Sequence, residues 1–148
     1  MANSRGSVDG AYILTPSDAQ RLGQACPDLH DWPRIWHFEL ADIPVGEQIV
    51  QVLTPFLLHL LDQGLAKSTV RRHRDNLWLL GGELVRRRYD DDALARLPVR
   101  EALKQLIDGE GGPLIDPRIG ESEQDSLDAT CRTLHRFLHD PAAANSPA

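Results

Sequence analysis

The sequence predicts an all-α protein, a compact bundle of four to six helices in a single domain. Two observations predict this class. Apolar residues recur at helical spacing in the longest segments, and a capping residue followed by Pro marks two helix starts, at Thr15-Pro16 and Thr54-Pro55. With 148 residues, 41% of them hydrophobic and 26% charged, the chain is large enough for one core and too apolar for global disorder.

The first predicted helix begins at Thr15, which can cap it, and runs to about Ala25, because Pro27 cannot continue a helix. The aromatic segment that follows, residues 32–38, is predicted to be partly irregular. Pro33 disfavours helix in the residue before it, and the alternation of the side chains fits a short extended piece.

Residues 54–88 predict two helices and the turn between them. Pro55 suits the first turn of one helix, or it only kinks a helix that begins earlier. Gly64 can adopt the left-handed conformation that ends a helix. Ser68 or Thr69 is then expected to cap the second helix.

That second helix has an apolar face and a cationic face. Val70, Leu77 and Leu84 recur every seven residues on the apolar face. Residues 67–88 contain seven Lys or Arg against two acids, a segment charge of +5 in a chain of net charge −6. Such an asymmetry is more informative about partners than the total charge. The Gly81–Gly82 pair either allows close packing of another element or marks a kink. The cationic face carries Lys67, Arg71, Arg72, Arg74 and Trp78.

Acidic capping residues predict where the remaining helices begin, and Pro and Gly predict where they end. The acidic run 90–92 should begin a short helix, because carboxylates are favoured at the positive end of the helix dipole, and Pro98 interrupts it. A further helical piece over 99–107 leads into a Gly-rich loop at 109–113. The last helix is predicted over residues 122–140.

Three parts are therefore expected along the chain. Residues 1–10 form a flexible N-terminus, residues 11–140 form the single helical domain, and residues 141–148 form a disordered tail. No apolar run reaches the length of a membrane span and the N-terminus lacks an apolar signal core, which predicts a cytoplasmic protein without a membrane partner.

Residues 56–80, FLLHLLDQGLAKSTVRRHRDNLWLL, resemble the N-terminal SAM-like core-binding domain of tyrosine recombinases and phage integrases. In that family a helix ending in a Gln-Gly or similar pair is followed by a Leu, a small-residue cap and a basic helix. The last helix, SLDATCRTLHRFL, is similar to the last helix of the same module, so the resemblance covers roughly residues 46–140. The matching positions are Gly64, Leu65, Ser68, Thr69, Val70, Arg71, Arg72 and Leu77.

The resemblance implies a stand-alone module that binds double-stranded DNA, in association with a mobile element, and cuts nothing. Recombinases cleave DNA with a separate domain that supplies a nucleophilic Tyr, and neither Tyr12 nor Tyr89 lies in that context. No phosphate loop, nucleophile elbow or Cys/His arrangement is present either, so no enzyme activity is expected. The implied phosphate-contacting residues are Lys67, Arg71, Arg72 and Arg74.

The acidity of the chain favours a second hypothesis, in which the protein is a protein-interaction module on the same fold. It would then be an adaptor, an antitoxin-like protein or an anti-defence factor. Such a module would bind a protein through its acidic surface and its aromatic residues. Trp78 is either an exposed anchor or, as is commoner for large aromatics, packed under the aromatic segment. The candidate partner-binding residues are Trp78, Trp32 and Trp36.

Neither a metal nor a cofactor is predicted, and the sequence leaves the oligomeric state open. Cys26 and Cys131 are far apart and in no ligand spacing, so both are expected to be free thiols, Cys131 on the apolar stripe of the last helix. His135 and His139 are four residues apart and can face one another, but a zinc site needs three or four protein ligands.

Overall fold

The computed structural model describes residues 6–8, 11–115 and 117–139, and the side chains from residue 14 onward. These residues form seven α-helices that pack around one cluster of buried apolar side chains. The all-α class is therefore confirmed, with one helix more than the four to six predicted. The additional helix lies in the aromatic segment for which an extended piece was expected.

A short antiparallel hairpin precedes the helices. Its strands are β1 (Gly6–Val8) and β2 (Ala11–Ile13). Strands of three residues carry too little alternation to be recognised in a sequence. The flexible N-terminus predicted for residues 1–10 therefore contains a paired strand, while the rest of that segment and the predicted tail 141–148 lie outside the described residues.

The first helix, α1 (Pro16–Ala25), begins and ends where the sequence predicts. Thr15 Oγ1 accepts a hydrogen bond from the backbone N–H of Asp18 at 3.0 Å, which satisfies one of the unpaired amides of the first turn. The helix stops before Pro27, whose ring cannot enter a helix interior.

The aromatic segment is helical, so the extended form predicted for it is wrong. A 3-10 turn at Leu29–Asp31 leads directly into α2 (Trp32–Trp36). Pro33 lies in the first turn of α2, where a backbone N–H would have no acceptor within the helix, so its absence costs nothing. Trp32 and Trp36 are four residues apart, and both side chains are buried on the inner face of this helix.

The most apolar helix, α3 (Asp42–Asp62), continues through Pro55. Pro55 therefore lies inside a helix that begins earlier, and it does not start a new one. Thr54 is therefore inside the helix and caps nothing; its hydroxyl donates to the carbonyl oxygen of Val50 at 2.7 Å. Gly64 has a φ of 67°, the left-handed conformation that the sequence predicts after this helix.

The basic helix, α4 (Lys67–Arg87), begins before both of its predicted caps. Neither Ser68 nor Thr69 caps it, because Ala66 already occupies the N-cap position and makes no side-chain hydrogen bond there. The three predicted residues of its apolar face, Val70, Leu77 and Leu84, are buried, and so are Leu80 and Val85.

Three helices complete the fold, namely α5 (Asp92–Arg96), α6 (Val99–Leu106) and α7 (Glu121–His139). The predicted acidic cap is confirmed, since Asp91 Oδ1 accepts from the N–H of Leu94 at 3.0 Å. Helix α7 packs against α4. Its predicted apolar stripe is buried: Leu127, Cys131, Leu134 and Leu138.

By length and composition α3 could cross a membrane, with a mean hydropathy of 1.2 over its most apolar window. In the fold it packs against α2, α4 and α6, and Ile49, Leu53 and Phe56 are fully buried there. Its apolar composition is accounted for by this central position, because a helix that is apolar on most sides belongs in a core.

Candidate functional site

The cations of α4 fall into two groups with different surroundings. Lys67, Arg71 and Arg72, here called the α4 cationic patch, lie exposed in the first two turns. Within residues 14–115 and 117–139, no carboxylate lies within 4.0 Å of any of them. Cations near a helix N-terminus oppose the helix dipole. The placement of this patch therefore does not stabilise α4, and its three charges remain exposed at the surface.

Arg74, the fourth predicted phosphate contact, differs from the patch. Its Nε and Nη2 atoms donate to Asp75 Oδ1 at 3.2 and 3.0 Å, so the neighbouring carboxylate offsets its charge. The sequence places four cations on one face, and the structure leaves three of them without an acidic partner in the described part of the chain.

The second group lies at the other end of α4, around a buried carboxylate. Glu83 has a side chain only 1% exposed, and Arg86 and Arg87 donate to its Oε2 at 2.7 and 2.5 Å. Arg118, from the segment before α7, donates to Oε1. Burial alone would raise the pKa of Glu83, but the hydrogen bonds from the three arginines outweigh it and lower the pKa to about 2. The Glu83 cluster, defined by these four residues, is therefore a structural ion-pair network.

Trp78 lies on α4 beside the cationic patch and is 40% exposed, whereas Trp32 and Trp36 are 1% and 6% exposed. The expectation that Trp78 packs under the aromatic segment is wrong, because Trp36 occupies that position and donates its Nε1–H to the carbonyl oxygen of Trp78 at 2.9 Å. Trp32 and Trp36 are core residues, which removes both from the candidate partner contacts. Trp78 is the accessible tryptophan.

A groove of about 520 Å³ runs between α4 and the start of α7. We call it the α4–α7 groove. Its walls combine an exposed aromatic ring, two exposed guanidinium groups, two apolar side chains and two acids: Trp78, Arg71, Arg72, Leu79, Ile119, Asp75 and Glu123. Both arginines of the patch therefore face a concave surface and not only open solvent.

The walls of this groove are held together by a polar network between α4 and α7. Asn76 Nδ2 donates to Thr130 Oγ1 at 2.8 Å and to the carbonyl oxygen of Ser126 at 3.0 Å. His73 Nδ1 lies 2.8 Å from the same Thr130 hydroxyl. Burial, together with the nearby charge of Arg72, lowers the pKa of His73, so this histidine is neutral at physiological pH. The sequence offers no signal for this network, since each of its hydrogen bonds joins residues at least 50 positions apart.

The thiols and the histidine pair take no part in this surface. Cys26 and Cys131 are both buried, and burial raises the pKa of each thiol to about 12, so both stay protonated at neutral pH. His139 Nδ1 lies 3.1 Å from the carbonyl oxygen of His135. Among the described residues, no three His, Cys, Asp or Glu side chains are grouped to hold a metal ion.

Fold and surface together define an all-α protein with an exposed cationic patch bordering an aromatic groove. No family model, curated protein or solved structure matches this chain. The likeness to recombinase core-binding domains therefore rests on the residue pattern of positions 46–140.

Proposed function

We propose that this protein is a non-catalytic DNA-binding module whose α4 cationic patch contacts the phosphate backbone of a duplex. One observation carries the proposal. Lys67, Arg71 and Arg72 have no acidic partner in the described residues, although the chain as a whole has a net charge of −6. Exposed cations of this kind bind phosphates and release condensed counterions, which is the main source of sequence-independent affinity for DNA.

The same proposal includes a SAM-like core-binding fold and an association with a mobile element, both of which the resemblance of residues 46–140 implies. The patch occupies one face of one helix, and its three side chains reach phosphates more readily than base edges. We therefore expect duplex binding with little sequence preference.

Replacing both Arg71 and Arg72 by Ala should weaken duplex binding about tenfold to a hundredfold at near-physiological salt, because each substitution removes a charge-assisted hydrogen bond to phosphate. The slope of log affinity against log salt should become shallower by about 1 for each lost contact. Fluorescence anisotropy with a labelled blunt duplex, titrated at low and near-physiological salt, measures both quantities.

The matched control replaces Arg34 and Arg96 by Ala. These arginines are also exposed, on α2 and α5, so the control removes the same formal charge from elsewhere on the surface. It should change the salt slope little. Equal losses in the two double variants would mean that the whole surface, and not the patch, attracts DNA. Absence of wild-type binding even at low salt would end the proposal.

A protein-interaction module is the second candidate, favoured by an exposed apolar cluster that shares no residue with the patch. Phe38 and Leu40 are 65% and 79% exposed in the connection before α3, and the ring of Phe38 contacts that of Tyr89 at 5.5 Å. Asp42 Oδ2 accepts from the backbone N–H of Phe38 at 2.9 Å, which holds this connection in place. Exposed apolar clusters of this kind mark interaction surfaces.

A photo-crosslinking amino acid in place of Leu40 should capture one discrete protein in cells if this cluster binds a partner. The same residue at Gln105, exposed on α6, is the control and should capture none. Denaturing gels followed by mass spectrometry identify the product. Identical patterns at the two positions, or no product at Leu40, would exclude the cluster as a partner site.

A further inference from the structure

The α4–α7 groove contains aromatic and apolar side chains that the backbone of a duplex would not contact. A duplex presents phosphates to Arg71 and Arg72, but its bases remain stacked inside and offer no face to an aromatic ring. Trp78 is nevertheless 40% exposed in this groove, next to the apolar side chains of Leu79 and Ile119. An exposed tryptophan beside exposed arginines is the combination by which proteins bind unpaired bases.

The spacing along α4 suits such a ligand. Arg71 and Trp78 are seven residues apart, which places them on the same face of the helix, about 10 Å apart along its axis. A phosphate at Arg71 and a base at Trp78 can therefore belong to one short stretch of an extended strand. Arg72 lines the same groove and can contact a flanking phosphate.

We infer that the α4–α7 groove binds a single-stranded nucleic-acid segment, with one unpaired base stacked on Trp78 and neighbouring phosphates on Arg71 and Arg72. The inference rests on the proposed function, and it narrows the substrate to DNA that combines a duplex with a single-stranded end. The duplex then contacts the start of the α4 cationic patch at Lys67, and its free strand continues past Arg71 and Arg72 into the groove.

Two acids also line the groove and limit the electrostatic contribution. Asp75 is held by Arg74 at 3.0 Å, and Glu123 Oε1 accepts from the backbone N–H of Gly120 at 3.0 Å. Because Arg71 and Arg72 contact phosphates in a blunt duplex as well, the single strand adds little to the salt slope. Stacking on Trp78 is therefore the larger part of the preference for a free end.

The test compares a blunt duplex with the same duplex carrying an oligothymidylate overhang. Wild-type protein should bind the overhang duplex about tenfold more tightly. Because Trp32 and Trp36 are buried, quenching of the exposed tryptophan fluorescence on binding reports Trp78. Trp78→Leu should abolish the preference and leave binding to the blunt duplex unchanged, whereas Trp78→Phe should retain part of it.

The control is Phe38→Leu, which removes an exposed aromatic ring that does not line the groove and should keep the full preference. Circular dichroism melting confirms that each variant is folded. Equal wild-type affinity for the two duplexes overturns the inference and leaves the proposed duplex binding standing. Equal loss of both affinities in Trp78→Leu also overturns it. Absence of binding to either DNA ends both proposals, and Trp78 is then assigned to a protein partner.

Discussion

Replacing Glu83 by Gln should lower the free energy of unfolding at neutral pH by about 3 kcal/mol, because three guanidinium groups lose their common carboxylate. Arg86, Arg87 and Arg118 all donate to Glu83, whose side chain is almost fully buried. The arginines are themselves partly exposed, so water can hydrate them after the substitution. This keeps the expected loss at the lower end of the range for broken buried pairs.

The effect should depend on pH in a defined direction. The pKa of Glu83 is about 2 in the folded protein against an ordinary 4.5, because the arginine hydrogen bonds exceed the opposing effect of burial. A lowered folded-state pKa gives stability that is complete above about pH 4.5 and is lost as the pH falls toward 2. The difference between wild type and Glu83→Gln should therefore shrink steadily across this acidic interval.

Urea unfolding followed by circular dichroism, repeated from neutral to acidic pH, measures this difference. The control is Glu101→Gln, which removes an exposed carboxylate 3.9 Å from Lys104. Exposed pairs of this kind contribute about 0.5 kcal/mol or less. If the difference in unfolding free energy between wild type and Glu83→Gln stays constant down to the lowest pH, Glu83 contributes through packing and not through its charge.

Gly81→Ala should destabilise the protein by about 2 kcal/mol, although alanine is the better helix former by about 1 kcal/mol. A Cβ atom at Gly81 would lie 2.4 Å from two ring carbons of Trp36. The indole has little room to yield, because it is buried, bonded through Nε1 to the carbonyl of Trp78, and packed against Trp32 with ring centroids 5.6 Å apart. Backbone or ring must therefore shift at a cost greater than the gain in propensity.

Gly23→Ala provides the matched control, since Gly23 also lies within a helix, α1, and a Cβ atom there meets nothing within 4 Å. The same chemical change should stabilise the protein by about 0.5 to 1 kcal/mol at this position. The midpoints and slopes of urea unfolding show, for each variant, whether the free energy of unfolding has fallen or risen. Stabilisation by both substitutions would mean that the contact between Gly81 and Trp36 is looser than its geometry indicates.

Helix ends that depend on near neighbours were predictable from the residue order. Thr15 and Asp91 each cap a helix through a hydrogen bond to the residue three positions later, and Gly64 adopts the backbone conformation that its missing side chain permits. Both partners of such an interaction lie within one turn, so the pattern contains all the information that the interaction needs.

The errors lie where distant packing outweighs a local preference. The aromatic segment around Pro33 was expected to be extended, but α2 fits closely against two glycines, Gly46 of α3 and Gly81 of α4. A Cβ atom at Gly46 would lie 2.8 Å from Pro33, so small residues on two other helices create the space that α2 occupies. The sequence of the aromatic segment itself does not reveal that these glycines will be its neighbours.

The candidate site divides in the same way. Residue types alone identify α4 as a cationic, amphipathic helix, because charge and apolar spacing are properties of the chain order. The long-range contacts are settled by folding: Arg118 reaches Glu83 from 35 residues away, and Trp36 takes the buried place expected for Trp78. Covalent order sets composition, caps and periodicity. Burial depends on which distant side chains meet, so the packed fold leaves Trp78 and the α4 cationic patch exposed.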